Sequence, residues 1–171
     1  MNRPVRRIAA SILALFLLYA LAGTAGERVL ATYTAPFVRI ADGDTITVLH
    51  DRQRVRIRLW GIDAPEMAQA WGPEAKQFTA ARVEGQTVTL QVHDTDRYGR
   101  TVAEVILPNG RSLNRDLVRA GLAWWYRHYA PGDRELAELE AQARAARHGL
   151  WADPAPMAPW DFRKLERERN R

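Results

Sequence analysis

"RVRIRLWGIDAPE" (Arg54–Glu66) opens as a strict alternation, with Arg54, Arg56 and Arg58 on one face and Val55, Ile57 and Leu59 on the other. That period of two is the signature of a half-buried strand. The strand runs into Trp60-Gly61, and two acids then flank Ala64-Pro65. Packing gives no reason to gather Arg58, Asp63 and Glu66 within nine residues. Pro65 biases Ala64 towards extended backbone, which would aim Asp63 and the Ala64 carbonyl in a common direction.

Working outward, strands are expected at Phe37–Ile40 and Thr45–Leu49, on either side of the "ADGD" bend. After Arg54–Leu59 come Thr87–Val92 and Thr101–Leu107, the last closed by a Pro108-Asn109-Gly110 turn. Helices are expected over Trp71–Val83, with Pro73 in its first turn, over Leu113–Ala120, and from the N-cap Asp133 to Arg147, with Gly149 as its stop. Five short strands with a helix between the third and fourth, and helices at the end, is the order of an OB-type barrel. The expected fold class is therefore α+β, a five-stranded barrel with three helices, preceded by an N-terminal hydrophobic signal or anchor helix.

The chain of 171 residues suffices for one domain plus appendages. "MNRPVRR" is a basic flank, Ile8–Ala22 is free of charge, and Ala20-Leu21-Ala22 resembles a small-x-small cleavage site. The apolar run is shorter than the roughly 20 residues of a comfortable membrane span, which favours a cleaved signal. No charge appears between Arg7 and Glu27, so an anchor through residues 8–26 stays open. Either way the domain is expected to be exported, periplasmic or secreted if cleaved and membrane-anchored facing outward if not. The expected divisions are 1–22 leader, 23–36 linker, 37–152 folded domain, and 153–171 Pro-rich linker with a charged end, a solvated tail or frayed helix, from which Trp160 and Phe162 pack back on the domain.

No cysteine is present, which excludes disulfides, a thiolate metal site and a cysteine nucleophile. The net charge of +5 is concentrated at the ends. Without the three leader arginines, and the five basic and three acidic residues of 161–171, 17 residues of each sign remain between 23 and 160. Bulk charge therefore does not identify a partner. Only Lys76 and Lys164 are lysines among the basic residues, and arginine suits bidentate phosphate recognition.

The chemistry concentrates in two bends. Asp42 and Asp44 lie in one, Asp63 and Glu66 in the other, at the ends of strands that would be neighbours in a small barrel. Like charges raise each other's pKa unless a cation neutralises them, and hard oxygens without His or Cys point to calcium or magnesium. Arg58 before the second bend and Arg100 after "DRYG" would grip phosphate oxygens beside such an ion. The competing reading of the arginine strand is a solvated face. It suits Arg54 and Arg56, and spacing alone does not decide Arg58.

"ADGDTITV", "RIRLWGIDAPE", "GPEAKQFT", "DRYGR" and "LNRDLVRAGLAW" occur in one order over Phe37–Trp151. Together they resemble the staphylococcal nuclease (thermonuclease) family. The resemblance implies calcium-dependent hydrolysis of DNA and RNA to products ending in a 3′-phosphate. It implies Asp44, Asp63 and the Ala64 carbonyl as calcium ligands, with Asp42 holding water nearby. By the same resemblance Glu66 is the general base, and Arg58 and Arg100 are the phosphate-binding arginines. Arg97, Tyr98 and Tyr129 then shape the nucleotide pocket. The family's second pocket tyrosine falls at Arg127, so stacking would pass to Arg127 or to Trp124 and Trp125, although core or rim packing suits those tryptophans better. The alternative is a non-catalytic nucleic-acid or protein binding module tethered to the membrane, which an intact set of acids and arginines disfavours. Nothing in the sequence demands more than a monomer.

Overall fold

The computed structural model describes residues 28–171. The expected leader, and so the signal or anchor helix, lies outside them. Among the described residues no helix is long and apolar enough to cross a membrane.

Five strands form a closed barrel: β1 (Ala31–Asp42), β2 (Thr45–His50), β3 (Gln53–Leu59), β5 (Thr87–Thr95) and β6 (Thr101–Ile106), in the order β1-β2-β3-β6-β5. Between β3 and β5 lie the two-residue strand β4 (Ile62–Asp63) and helix α1 (Gly72–Val83). Helix α2 (Leu113–Arg119), strand β7 (Trp124–Trp125), helix α3 (Arg134–Ala145), a 3-10 turn (Gly149–Ala152) and helix α4 (Pro159–Arg169) complete the chain. A closed five-stranded barrel with helices fits the expected OB-type α+β architecture.

The barrel interior is the alternate face of each strand. Ile46, Val48, Ile57, Leu59, Val88, Leu90 and Val105 are sealed from solvent in one cluster. Burial of side chains of this size stabilises by about 1.5–3 kcal/mol each. β2 and β3 meet in full antiparallel register from Thr45↔Arg58 to His50↔Gln53. Asp51 and Arg52 turn the hairpin at positive φ, the backbone that a two-residue turn between twisted strands requires. Closure uses a short parallel pairing of Ile57–Leu59 with Thr101–Ala103.

Three expectations change. β1 begins at Ala31, inside the stretch expected as linker, because Ala31–Pro36 pairs with Thr87–Val92 and makes the barrel's closing seam. There are four α-helices among the described residues, not three. The fourth, α4, is a formed helix where a solvated tail or frayed helix was expected; Pro159 starts it and is buried, and Trp160 packs back on Tyr126 and Trp124 as expected.

Two details hold the site's frame. Buried Asn114 of α2 donates to the Trp60 carbonyl at 2.8 Å and accepts from Val105 N–H at 3.0 Å, fixing the point where the chain leaves β3. Gly43 sits so close to α1 that a Cβ there would lie 2.7 Å from Ala75 Cβ and 2.9 Å from Ala64 Cβ. Its carbonyl accepts from the Thr79 hydroxyl at 2.6 Å. The first bend is thus pressed against both α1 and the second bend.

Candidate active site

The two acidic bends converge. Asp44 and Asp63 are only 4% and 0% exposed. Buried carboxylates need partners, and these have them. Ala64 N–H donates to Asp44 Oδ2 at 2.6 Å, and the Leu59 N–H donates to the Asp44 carbonyl at 2.8 Å. Arg58 reaches both acids, pairing through Nη1 with Asp44 Oδ1 and through Nη2 with Asp63 Oδ1 at 2.6 Å. A further contact from Nη2 to the Ile62 carbonyl, at 3.3 Å, wraps the guanidinium around the turn. Arg58 therefore does not belong to a solvated face. Asp63 is also held through its backbone, since β4 pairs antiparallel with β7, Asp63 opposite Trp124.

Glu66 follows in a tight loop. Its N–H donates to Gln69 Oε1 at 2.8 Å and its carbonyl accepts the Gln69 N–H at 2.8 Å. Gly72 closes that loop so tightly that a Cβ would stand 2.0 Å from the Glu66 carbonyl oxygen. Asp42 sits beside the bend, Oδ1 accepting the Asp44 N–H at 3.2 Å.

These groups lie on one wall of an open cleft of about 960 Å³, which Asp42, Asp44, Arg58, Asp63, Ala64, Glu66, Arg97, Tyr98, Arg100 and Tyr129 all line. Every residue singled out for catalysis, metal or substrate thus faces one space. Arg100 stands apart from the carboxylates of the two bends: its Nε donates to Asp96 Oδ2 at 2.6 Å, and its N–H to Asp96 Oδ1 at 2.9 Å. Burial would raise the Asp96 carboxyl, but the Arg100 N–H and guanidinium and the Tyr98 N–H outweigh it and hold the group below its ordinary value. Tyr98 and Tyr129 are 69% and 60% exposed, leaving both rings free to stack.

Arg127 does not line the cleft; its guanidinium lies 4.7 Å from the Trp125 ring. Trp124 packs edge-on to Trp151, and Trp125 Nε1 donates to the Ala130 carbonyl, so both tryptophans serve packing. A third tyrosine in the cleft is Tyr126, edge-on to Tyr129 at 5.0 Å. Arg56, read as solvated, also lines the cleft.

The residue that sequence reasoning missed outright is Arg163 of α4. Nη2 donates to Asp63 Oδ2 at 2.7 Å, while Nη1 donates to Glu66 Oε1 at 2.7 Å and to Asp63 Oδ1 at 3.2 Å. Burial opposes its charge, but Asp63 and Glu66 outweigh that and hold it more firmly protonated than a free guanidinium. A signal existed: Trp160, Arg163 and Arg167 recur at helical spacing, an aromatic anchor followed by two arginines on one face.

The donor chemistry suits a hard divalent cation, because Asp44 and Asp63 offer carboxylate oxygens from two fixed bends. Among the described residues no three acidic or histidine side chains converge into a ready cage. An ion would rest on two carboxylates, a carbonyl and water, and would have to replace guanidinium contacts.

Comparison with known proteins agrees with this geometry. The family described as "Staphylococcal nuclease homologue" matches residues 56–153. A "Micrococcal nuclease" of Shigella flexneri is 42% identical over 146 residues, covering 80% of this chain and 84% of its own. An "Uncharacterized endonuclease" of Escherichia coli is 44% identical over 126 residues, 74% of this chain and 82% of its own. "Protein ParB" of Escherichia coli is 45% identical over 141 residues, covering 77% and 80%. With the barrel, the paired acids and the arginine between them, the chain belongs to the staphylococcal nuclease family.

Proposed function

We propose that this nuclease hydrolyses phosphodiester bonds of DNA or RNA with calcium, leaving 3′-phosphate ends. The observation that carries the reading is the meeting of Asp44 and Asp63, from two separate bends, on one arginine at the wall of an open cleft. Asp44, Asp63 and the Ala64 carbonyl would hold calcium, which supplies a Lewis acid for a phosphate oxygen. Arg58 and Arg100, which both line the cleft, bind the remaining phosphate oxygens and stabilise charge as it builds at phosphorus. Glu66 takes a proton from the attacking water while the new P–O bond forms in line with the leaving 5′-oxygen. The bond from phosphorus to that 5′-oxygen breaks, and the oxygen is protonated from solvent. Tyr98 and Tyr129, with Arg97 beside Tyr98, offer ring faces and a cation to the flanking nucleotide. All of these groups come from one chain, so a monomer suffices.

The apolar leader supports an exported enzyme, where calcium at about 10⁻⁴–10⁻³ M suits a weak site. Digestion of DNA and RNA with calcium, with chelator, and with calcium restored tests the reading. Cleavage that depends on calcium and leaves 3′-phosphate ends is expected. Undiminished cleavage in chelator removes the metal from it, and no cleavage under any condition removes the hydrolase.

A further inference from the structure

α4 touches the barrel at few points. Pro159 is its one buried residue. Trp160 stacks on Tyr126, ring centres 5.2 Å apart and 10° from parallel, and meets Trp124 edge-on at 5.6 Å. Gln69 Nε2 donates to the Met157 carbonyl just before the helix, at 3.2 Å. Arg163 is the remaining attachment, and its guanidinium covers both oxygens of Asp63 and one of Glu66. Behind the helix runs "PAPMAP" (154–159), a semi-rigid segment with a proline at every second or third position.

The charges around this contact set a condition. Asp44, Asp63 and Glu66, with Asp42 beside them, bring an excess of formal negative charge that Arg58 only partly offsets. Arg163 cancels one further charge that a divalent ion would otherwise neutralise. Arg58 and Arg163 together make three N–H contacts to the two oxygens of Asp63. An ion bound at about 2.3–2.6 Å from that carboxylate would have to share those oxygens with two guanidinium groups.

We propose that Arg163 is a built-in competitor for the cation: docking of α4 and binding of calcium exclude each other. The proposal rests on Asp63 being a calcium ligand. In the docked state Arg163 satisfies Asp63 and holds Glu66 away from proton transfer. Calcium binding releases the guanidinium, and α4 swings out on its Pro-rich segment, freeing Glu66 for water and opening the cleft along the side that Arg163 and Arg167 line. The apparent calcium affinity is then the intrinsic affinity scaled by the undocked fraction. The enzyme would stay shut at low calcium without a separate inhibitor.

Two measurements on the full chain test this. Calorimetric titration with calcium chloride should show Arg163→Gln binding at least about tenfold more tightly than wild type, the factor expected if nine-tenths of the molecules are docked. Arg163→Lys should fall between them. A lysine-specific endoprotease reads the helix directly, because Lys76 and Lys164 are the chain's two lysines. Calcium should speed cleavage after Lys164 several-fold in wild type and leave Arg163→Gln, already fast, unchanged. Lys76 in α1, against the barrel, reports global unfolding. Equal calcium affinity in wild type and Arg163→Gln overturns the competitor and leaves the metal site standing. Absence of calcium binding in both overturns the two together. Unchanged affinity with turnover lost makes Arg163 a phosphate ligand instead, and continued protection of Lys164 in calcium overturns the swing.

Discussion

The backbone N–H of Ala64 donates to Asp44 Oδ2 at 2.6 Å, a buried bond between residues 20 apart in sequence. It joins the two acidic bends even without an ion, so the carboxylate pair is positioned by the fold. A preformed site of this kind loses little ordering entropy when it binds its ligand.

Removing that acceptor should therefore cost stability as well as activity. Asp44→Ala leaves the Ala64 N–H unsatisfied and takes one of two acids from Arg58, and we expect a loss of about 3 kcal/mol or more. Asp44→Asn keeps an oxygen for Ala64 and should lose noticeably less, while calcium-dependent cleavage disappears in both. Urea denaturation compares them; equal stabilities would show that the bond between the bends contributes nothing.

Arg100→Ala should fold normally. Asp96 still accepts the N–H groups of Tyr98 and Arg100, so the turn keeps its shape. Activity should fall about 10³-fold, the scale on which a positively charged clamp acts at a phosphoryl transition state. A variant retaining a tenth of the wild-type rate would remove Arg100 from the reaction.

Asp96 also predicts a pH dependence. Its folded-state pKa lies below the ordinary carboxyl value near 4. Its contribution is therefore complete above that value and is lost as pH falls through the lower folded pKa. Denaturation midpoints measured downward from about pH 5 should drop more steeply for wild type than for Asp96→Asn. Parallel curves would contradict the assignment.

Gly72→Ala should disturb the loop that carries Glu66. A Cβ there would meet the Glu66 carbonyl oxygen at 2.0 Å and the Met67 Cα at 3.0 Å, both backbone atoms that cannot rotate away. A loss of about 1–3 kcal/mol is expected from such overpacking, with turnover reduced at least about tenfold. Full activity at unchanged stability would show that the loop relaxes freely and that Glu66 does not depend on its shape.

Sequence reading captured what is periodic and local. β2, β3 and β5 alternate cleanly, and α3 announces its start at Asp133, whose carboxylate accepts the Leu136 N–H at 2.9 Å. It missed the first half of β1, where Ala31, Ala35 and Pro36 are weak strand formers and only pairing with β5 makes them a strand. The two-residue strands β4 and β7 were too short for any period to show. Asp44, Asp63, Glu66, Arg58 and Arg100 were singled out by the family resemblance of their motifs, since spacing alone did not decide Arg58, and all five line one cleft. Arg163 was not, because its partners Asp63 and Glu66 lie 100 and 97 residues away. Arg163 shares a helical face with Trp160 and Arg167, but nothing within "DFRKLERERNR" points to Asp63 and Glu66 as its partners.

The short β3–β6 pairing leaves one length of backbone ladder open. Gln53–Arg56 pairs with β2 on one side, and among the described residues its other side has no strand. Arg54 and Arg56 occupy that stretch, and neighbouring positive charges repel a second copy approaching edge to edge. The same pair that reads as surface decoration in the sequence thus guards this open length of the barrel against edge-to-edge aggregation.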